Sequence, residues 1–188
     1  KDPAKAQYMG LVKPFVGSES AADNYGYKSA SAFIGKGPKA TAKQFKSFFY
    51  KGADGLHLNM MSGANNKGGR KRKMANYKIT VTGNGLADKI KLSDDHNELK
   101  LVSVNGEAQV YGANMKYRHN SDGGVIGPFV TTDFLIHFEF DTTADWKRST
   151  FVSNGKNYSL SKNGQTMNFI VGYRNELDCD TDDSDTKI

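Results

Sequence analysis

The dipeptide Asn-Gly recurs between stretches in which apolar and polar residues alternate. It is the strongest short-range signal for a two-residue β-hairpin turn, because both turn positions need a positive φ. The last two occurrences lie close enough together to predict a three-stranded meander over residues 149–173. The second half of the chain is therefore expected to form antiparallel sheet. The four turns are Asn84-Gly85, Asn105-Gly106, Asn154-Gly155 and Asn163-Gly164.

Two stretches show the alternation of a half-buried strand. In 77–82, the tyrosine, isoleucine and valine point one way, while a lysine and two threonines point the other. In 129–140, the apolar face consists of Phe134, Ile136, Phe138 and Phe140. One apolar face and one mixed face are typical of an antiparallel sheet with one solvated side.

The first half is less regular and contains one helix signal. Thr41 and Gln44 have the spacing of a capping box, and three phenylalanines follow at helical spacing before Gly52. This pattern predicts a short helix at about 42–51. Together the patterns predict a mainly β domain over residues 1–176, an antiparallel β-sandwich or β-barrel of about 8–10 strands with that one short helix.

The length and composition agree with such a domain. The chain has 188 residues, of which 37% are hydrophobic and 24% are charged, values that exclude a disordered or collagen-like chain. No apolar run approaches the ~20 residues of a transmembrane helix. The single cysteine cannot form an internal disulfide or a multi-cysteine zinc site.

Charge is distributed unevenly along the chain. Residues 1–92 carry 17 basic and 5 acidic side chains, whereas residues 93–188 carry 9 basic and 15 acidic ones. Residues 62–76 are expected to be a mobile loop, and residues 177–188 an acidic tail. The loop carries a cluster that would attract an anionic macromolecule or an acidic protein surface. We call it the basic cluster: Lys67, Arg70, Lys71, Arg72 and Lys73. The alternative is a solvated loop, or one paired with the acidic tail.

Histidine and methionine supply the candidate ligands for a cofactor. On a strand, His57 and Met61 would share a face, and both are ligand types suited to haem iron or copper. His119, just before a glycine-rich turn, is the other candidate ligand. The aspartates of residues 178–186 could hold Ca²⁺, although they lack the EF-hand glycine and glutamate. The main expectation is that the chain has no cofactor, with haem and Ca²⁺ as alternatives.

The sequence argues against most enzyme classes. It has no Gly-x-Ser-x-Gly elbow, no zinc-hydrolase histidine spacing and no phosphate-binding P-loop. Cys179 lies among aspartates that would raise its pKa by like-charge repulsion. Asp133 with Glu139 or Asp141 could form a glycosidase-like carboxylate pair, but outward positions of any strand yield such pairs by chance. Stripes of exposed Tyr and Trp on a β-sandwich could stack on sugar rings, although core and rim packing is the ordinary role of such residues.

The sequence therefore predicts a non-enzymatic binding protein, secreted or surface-exposed. It would contact an anionic macromolecule or another protein through the basic cluster and the basic first half. One alternative is a structural subunit of a capsid, phage tail or filament that self-assembles through its oppositely charged halves. Another is a carrier of haem or another small ligand. An extracytoplasmic location is favoured by the Gly/Asn/Ser-rich composition and the sequon Asn157-Tyr158-Ser159.

Overall fold

The computed structural model describes ten ranges of the chain, most of which are β-strand. These ranges are 7–26, 33–63, 73–83, 90–93, 98–117, 121–130, 133–141, 149–153, 155–160 and 166–174. The strands are β1 (Gln7–Leu11), β2 (Phe15–Val16), β3 (Gln44–Gly52), β4 (Gly55–Ser62), β5 (Lys73–Gly83), β6 (Ile90–Ser93), β7 (Leu99–Asn105), β8 (Ala108–Tyr117), β9 (Asp122–Phe129), β10 (Asp133–Asp141), β11 (Ser149–Ser153), β12 (Lys156–Leu160) and β13 (Thr166–Arg174). These ranges also contain one helix, α1 (Ala21–Tyr25).

The strands form two mixed sheets that pack together as a β-sandwich. Sheet A has the order β1-β13-β10-β5-β8-β7, and sheet B has the order β12-β11-β3-β4-β9-β6, with β2 also paired to β3. The pairs β1–β13, β11–β3 and β2–β3 are parallel, and the other pairs are antiparallel. The mainly β architecture is thus confirmed, in its sandwich form. No helix within the ten described ranges is long and apolar enough to cross a membrane.

Sheet A is built on the two strands whose alternation was clearest in the sequence. β10 pairs antiparallel with β13 on one side and β5 on the other. All four residues of its predicted apolar face are buried. Tyr77, Ile79 and Val81 of β5 are buried as well, while Lys78 and Thr82 are exposed on the opposite face. The period-2 pattern therefore gave both the strands and their core-facing sides correctly.

The helix predicted at 42–51 is wrong, because these residues form most of β3. Phe45 and Phe49 face the core between the sheets, whereas Phe48 faces a second apolar cluster on the outer side of sheet B. A strand buried on both faces carries apolar residues at consecutive positions, so its alternation disappears from the sequence. Gly52 is the last residue of β3 and pairs with Gly55, the first residue of β4.

The observed helix lies earlier in the chain and is set by its own capping residues. Ser20 is the N-cap, and its Oγ accepts a hydrogen bond from the Asp23 N–H at 3.1 Å. Gly26 ends the helix in the left-handed conformation, with a φ of 87°. The helix packs Ala21 and Tyr25 onto the outer face of sheet B with Phe33. Within the described residues, 21–26 and 33–40 thus form a third layer over that sheet.

Two of the four Asn-Gly turns fall within the described residues at least in part, and both connect paired strands. Gly106 joins β7 to β8 with a φ of 55°, and Gly155 leads from β11 into β12 with a φ of 68°. Asn84-Gly85 and Asn163-Gly164 lie outside the described residues. The predicted meander over 149–173 is wrong, because β12 belongs to sheet B and β13 to sheet A. Periodicity identifies strands, but it does not show where the chain changes sheet.

The predicted boundaries of the basic loop are too wide. Ser62 is the last residue of β4, and β5 begins at Lys73, so residues 73–76 belong to a strand. The ladder between β5 and β8 runs from Lys73 opposite Tyr117 to Thr82 opposite Ala108. Backbone pairing with β8 therefore extends β5 into residues whose composition is typical of a loop.

Aromatic rings fill the space between the two sheets. Phe140 is completely buried and stacks on Tyr77 at a centroid distance of 4.8 Å. The rings of Phe45, Phe151 and Phe169 also surround it, at 5.8, 5.1 and 6.0 Å respectively. Phe45 and Phe151 belong to sheet B, while Phe140, Tyr77 and Phe169 belong to sheet A. Phe140 is thus a central contact between the two sheets.

Candidate functional site

A cleft opens at the edge of the sandwich where the chain crosses from sheet A to sheet B. Residues 12–14 make this crossing between β1 and β2. β11 pairs with the beginning of β3, and β2 pairs with β3 only at Tyr50 and Lys51. The cleft, about 260 Å³ in volume, lies where β3 passes from one partner to the other. We call it the edge cleft, and its lining is Val12, Lys13, Phe15, Pro38, Ser47, Phe48, Phe49, Val152, Ser153 and Gly155.

The walls of the edge cleft are mostly apolar and partly aromatic. Phe15 packs edge-on against Phe48, with ring centroids 5.8 Å apart and an interplanar angle of 89°. Phe15 remains 45% exposed, although it belongs to this packed pair. An exposed aromatic ring beside a concave apolar surface gives an incoming apolar side chain a large contact area.

Two serine hydroxyls supply the polar part of the lining. Ser47 Oγ donates a hydrogen bond to Ser153 Oγ at 2.8 Å, and both residues are buried. Each hydroxyl carries one hydrogen, so the bond between the two uses only one of their two donors. The other hydroxyl hydrogen can be donated to a carbonyl or carboxylate oxygen placed in the cleft.

One lysine lines the edge cleft, and three others are next to its lining residues along the chain or across the sheet. Lys13 lines it, Lys39 and Lys156 follow the lining residues Pro38 and Gly155, and Lys46 is paired with Val152 across the sheet. We call this set the lysine rim: Lys13, Lys39, Lys46 and Lys156. Three of them, all but Lys46, are exposed. Four ammonium groups around one apolar opening create a positive potential that attracts anions.

Lys46 has the most defined position in the lysine rim. Its Nζ donates hydrogen bonds to the Lys39 carbonyl oxygen at 2.6 Å and to Thr41 Oγ1 at 2.7 Å. Partial burial lowers the pKa of Lys46 from its usual value near 10.5, because desolvation penalises the charged form. A partly desolvated ammonium interacts more strongly with a nearby anion than a fully hydrated one does.

The segment that carries the basic cluster leaves sheet B near the lysine rim. The Gly63 N–H donates to the Gln44 carbonyl oxygen at 3.0 Å, two residues from Lys46. The chain returns in β5, whose Tyr77 lies 6.1 Å from Phe45, centroid to centroid. Both ends of the segment are therefore near the beginning of β3. Lys67, Arg70, Lys71 and Arg72 lie outside the described residues, and Lys73 is the first residue of β5.

The structure places His57 and Met61 on one face of β4 but does not bring them together. Both are buried on the outer side of sheet B, where residues 21–26 and 33–40 form the layer above. Four residues of strand separate them by about 13 Å, which is too far for both to bind one metal ion. His119 lies outside the described residues. Its role as a haem or metal ligand stays a prediction.

His57 is held by contacts that suit a packed core histidine. Its Nδ1 lies 3.1 Å from the Gly55 carbonyl oxygen, and its Nε2 lies 3.7 Å from Asp54 Oδ2. Gly127 makes room for the ring, since a Cβ there would lie 2.7 Å from His57 Cδ2. Asp54 Oδ1 also accepts a hydrogen bond from the Ala21 N–H at 2.8 Å. The histidine thus helps to connect the β3–β4 turn to the layer above it.

The described residues contain no group of three or more His, Cys, Asp or Glu side chains that could hold a metal ion. The aspartates proposed for Ca²⁺ at 178–186 lie outside these residues. Of the carboxylates considered for glycoside hydrolysis, Glu139 forms an ion pair with Lys78 at 2.8 Å, and Asp133 lies 3.8 Å from Arg174 Nε. Each of these two carboxylates therefore has a cationic neighbour on an adjacent strand.

Sequence reasoning identified the basic first half but missed the edge cleft. Its lining comes from residues 12–15, 38, 47–49 and 152–155, which only the pairing of β3 with β2 and β11 brings together. The available signal was Lys13-Pro14-Phe15, a break between two short strands that carries both a cation and an aromatic ring. That signal gives no indication of the partner residues on β3 and β11.

Comparison of the chain with protein-family models gives no match, and comparison with curated protein sequences gives none either.

Proposed function

We propose that this chain is a non-enzymatic binding protein that holds an acidic segment of a partner protein at the edge cleft. The observation that carries the proposal is an apolar cleft of about 260 Å³ surrounded by the lysine rim. An apolar side chain of the partner would fill the cleft, and flanking carboxylates would contact the lysines. The hydroxyl pair of Ser47 and Ser153 would donate to a backbone carbonyl of the bound segment.

A protein segment fits these features better than a polyanion of repeating charges. Phosphate and sulfate polymers bind through contacts between their anionic groups and cationic side chains. They carry no apolar side chain that would fill a cavity of this size. An acidic segment with one aromatic or aliphatic residue uses both the cleft and the lysine rim. The basic cluster, whose segment starts beside Lys46, would extend the positive surface along the partner. We also propose an extracytoplasmic location, with which the exposure of the sequon residue Asn157 on β12 agrees.

The double variant Lys13→Glu/Lys39→Glu is expected to bind an acidic peptide about tenfold more weakly. Each reversal replaces an attraction of roughly 0.2–1 kcal/mol by a repulsion of similar size, and about 1.4 kcal/mol corresponds to tenfold. The measurement is fluorescence anisotropy with a labelled peptide of alternating Asp and Glu residues around one central Phe. The matched control is Lys78→Glu/Lys100→Glu on sheet A, which changes the net charge equally and should leave the affinity within about twofold.

Two further probes decide what kind of partner binds. Replacing the central Phe of the peptide by Gly should weaken binding, because the cleft then stays unfilled. Alanines at the five positions of the basic cluster should weaken it further and reduce its salt dependence. Equal loss in both double variants would overturn the proposed site. Tighter binding of a sulfated glycan or an oligonucleotide than of the peptide would overturn the proposed partner.

A second candidate function, self-assembly, is favoured by the outermost strand of sheet A. Among the described residues, β7 pairs only with β8, and it exposes Leu101, Val102 and Val104. An exposed apolar edge strand is a template for pairing with a second copy. Assembly through β7 predicts a particle larger than the monomer in size-exclusion chromatography with light scattering, at both about 50 and about 500 mM salt. Val102→Lys/Val104→Lys should return it to the monomer, and a monomer in the unmodified protein would exclude this candidate.

A further inference from the structure

A second concave surface lies on the outer face of sheet A. It is a groove of about 540 Å³ across β1, β13, β10 and β5. That volume is within the usual range of small-molecule sites. We call it the sheet A groove, and its lining includes Tyr8, Leu11, Thr82, Asp133, Leu135, Gly172 and Arg174.

The floor of the sheet A groove exists because residue 172 is a glycine. A Cβ at Gly172 would lie 2.9 Å from Leu11 Cδ2, 3.2 Å from Tyr8 Oη and 3.4 Å from Leu135 Cδ2. Three side chains from two neighbouring strands thus converge above a backbone that has no side chain of its own. These side chains cover Gly172, which is buried, and form the floor of a shallow apolar depression in an otherwise solvated sheet face.

Tyr8 forms a platform beside this depression. Its Cα is opposite Ile170, yet its hydroxyl lies above Gly172, two residues and about 7 Å further along β13. The ring therefore lies along the sheet surface instead of projecting from it. Tyr8 is 56% exposed and Leu135 is 48% exposed. Together they present a flat apolar surface to solvent.

The polar end of the sheet A groove is a carboxylate beside a guanidinium. Asp133 and Arg174 are directly opposite each other in the β10–β13 ladder, with Arg174 Nε 3.8 Å from Asp133 Oδ2. Both side chains are more than half exposed. A carboxylate accepts hydrogen bonds and a guanidinium donates them, while the pair as a whole carries no net charge. Thr82, opposite Leu135 on β5, adds an exposed hydroxyl.

We infer that the sheet A groove binds a neutral pyranose sugar. A pyranose presents one face of C–H groups, which packs on an aromatic or aliphatic platform, and a rim of hydroxyls that both donate and accept. The Tyr8–Leu135 platform fits the C–H face, and the Asp133–Arg174 pair fits two adjacent hydroxyls through charge-assisted hydrogen bonds. Because the pair has no net charge, it gives no attraction for a charged ligand. The sheet A groove and the edge cleft are therefore expected to bind different classes of ligand.

The test is saturation-transfer difference NMR and calorimetric titration against a panel of neutral disaccharides, namely cellobiose, maltose and lactose. At least one is expected to bind with a Kd near 1 mM or tighter, the usual range for a shallow site. Tyr8→Ala should weaken that binding at least tenfold, while Tyr8→Phe retains the platform and most of the affinity. Asp133→Asn should weaken it at least fivefold. Gly172→Ala fills the floor against the flexible end of Leu11 and should also reduce the affinity.

Val104→Ala, at the far edge of sheet A, is the matched control and should leave sugar binding unchanged. Thermal unfolding of each variant establishes that it is folded. Absence of binding to every disaccharide, or binding that survives both Tyr8→Ala and Asp133→Asn, would overturn the inference. Lys39→Glu alone, a change in the layer over sheet B, should not alter sugar binding but should weaken peptide binding, so the two sites can be tested separately.

Discussion

Phe140→Ala is expected to lower the free energy of unfolding by about 3–5 kcal/mol, the cost of removing a fully buried phenylalanine ring. Phe140 is completely buried on β10, and aromatic rings from both sheets contact it. Its removal leaves a cavity between the sheets that strands paired on both sides cannot close. Urea unfolding followed by tyrosine and tryptophan fluorescence measures the change.

Leu135→Ala is the matched control, because it lies on the same strand and faces solvent. Its expected cost is within about 0.5 kcal/mol, as for most surface substitutions. Phe140→Leu should lie between the two, since it keeps much of the apolar volume. Similar losses for Phe140→Ala and Leu135→Ala would mean that the two sheets do not pack through Phe140.

The fold could be predicted wherever one face of a strand is solvated. β5 and β10 alternate because one side meets the core and the other meets water, and their buried faces were identified correctly. The strand β3 was mistaken for a helix because residues 21–26 and 33–40 cover its outer face, so both Phe48 and Phe49 are buried. No local pattern shows that a distant segment will cover a strand. The same limit explains why the change of sheet between β12 and β13 was missed.

From the sequence, the candidate sites could be predicted only as stretches rich in certain residue types, and their spatial arrangement could not. Lys13, Lys39 and Lys46 were part of a basic first half whose positive charge is evident in the sequence. Their arrangement around one cleft depends on two parallel pairings, β2–β3 and β11–β3, that local patterns do not encode. Sugar stacking was considered for stripes of exposed Tyr and Trp in general, and Tyr8 was not singled out. Its orientation depends on Gly172, which lies 164 positions further along the chain.

Asn59→Leu is expected to raise the free energy of unfolding by about 1–3 kcal/mol, the usual cost of burying an amide without a partner. Asn59 is completely buried on β4, on the same face as His57 and Met61. Neither its Oδ1 nor its Nδ2 has a hydrogen-bond partner within the described chain. Leucine has nearly the same shape and removes this cost while keeping the volume filled. Urea unfolding again gives the measurement, with an increased midpoint at unchanged slope.

Asn24→Leu is the control, because Asn24 is also buried but both polar atoms of its amide have hydrogen-bond partners. Its Oδ1 accepts from the Lys36 N–H at 2.7 Å, and its Nδ2 donates to the Lys36 carbonyl oxygen at 3.1 Å. Leucine there deprives two backbone groups of their partners and should cost about 1–3 kcal/mol. If Asn59→Leu raises the free energy of unfolding and Asn24→Leu lowers it, hydrogen bonding decides the effect of each buried amide on stability. A lower free energy of unfolding for Asn59→Leu as well would contradict the prediction. It would indicate that the Asn59 amide binds a polar group, such as a buried water.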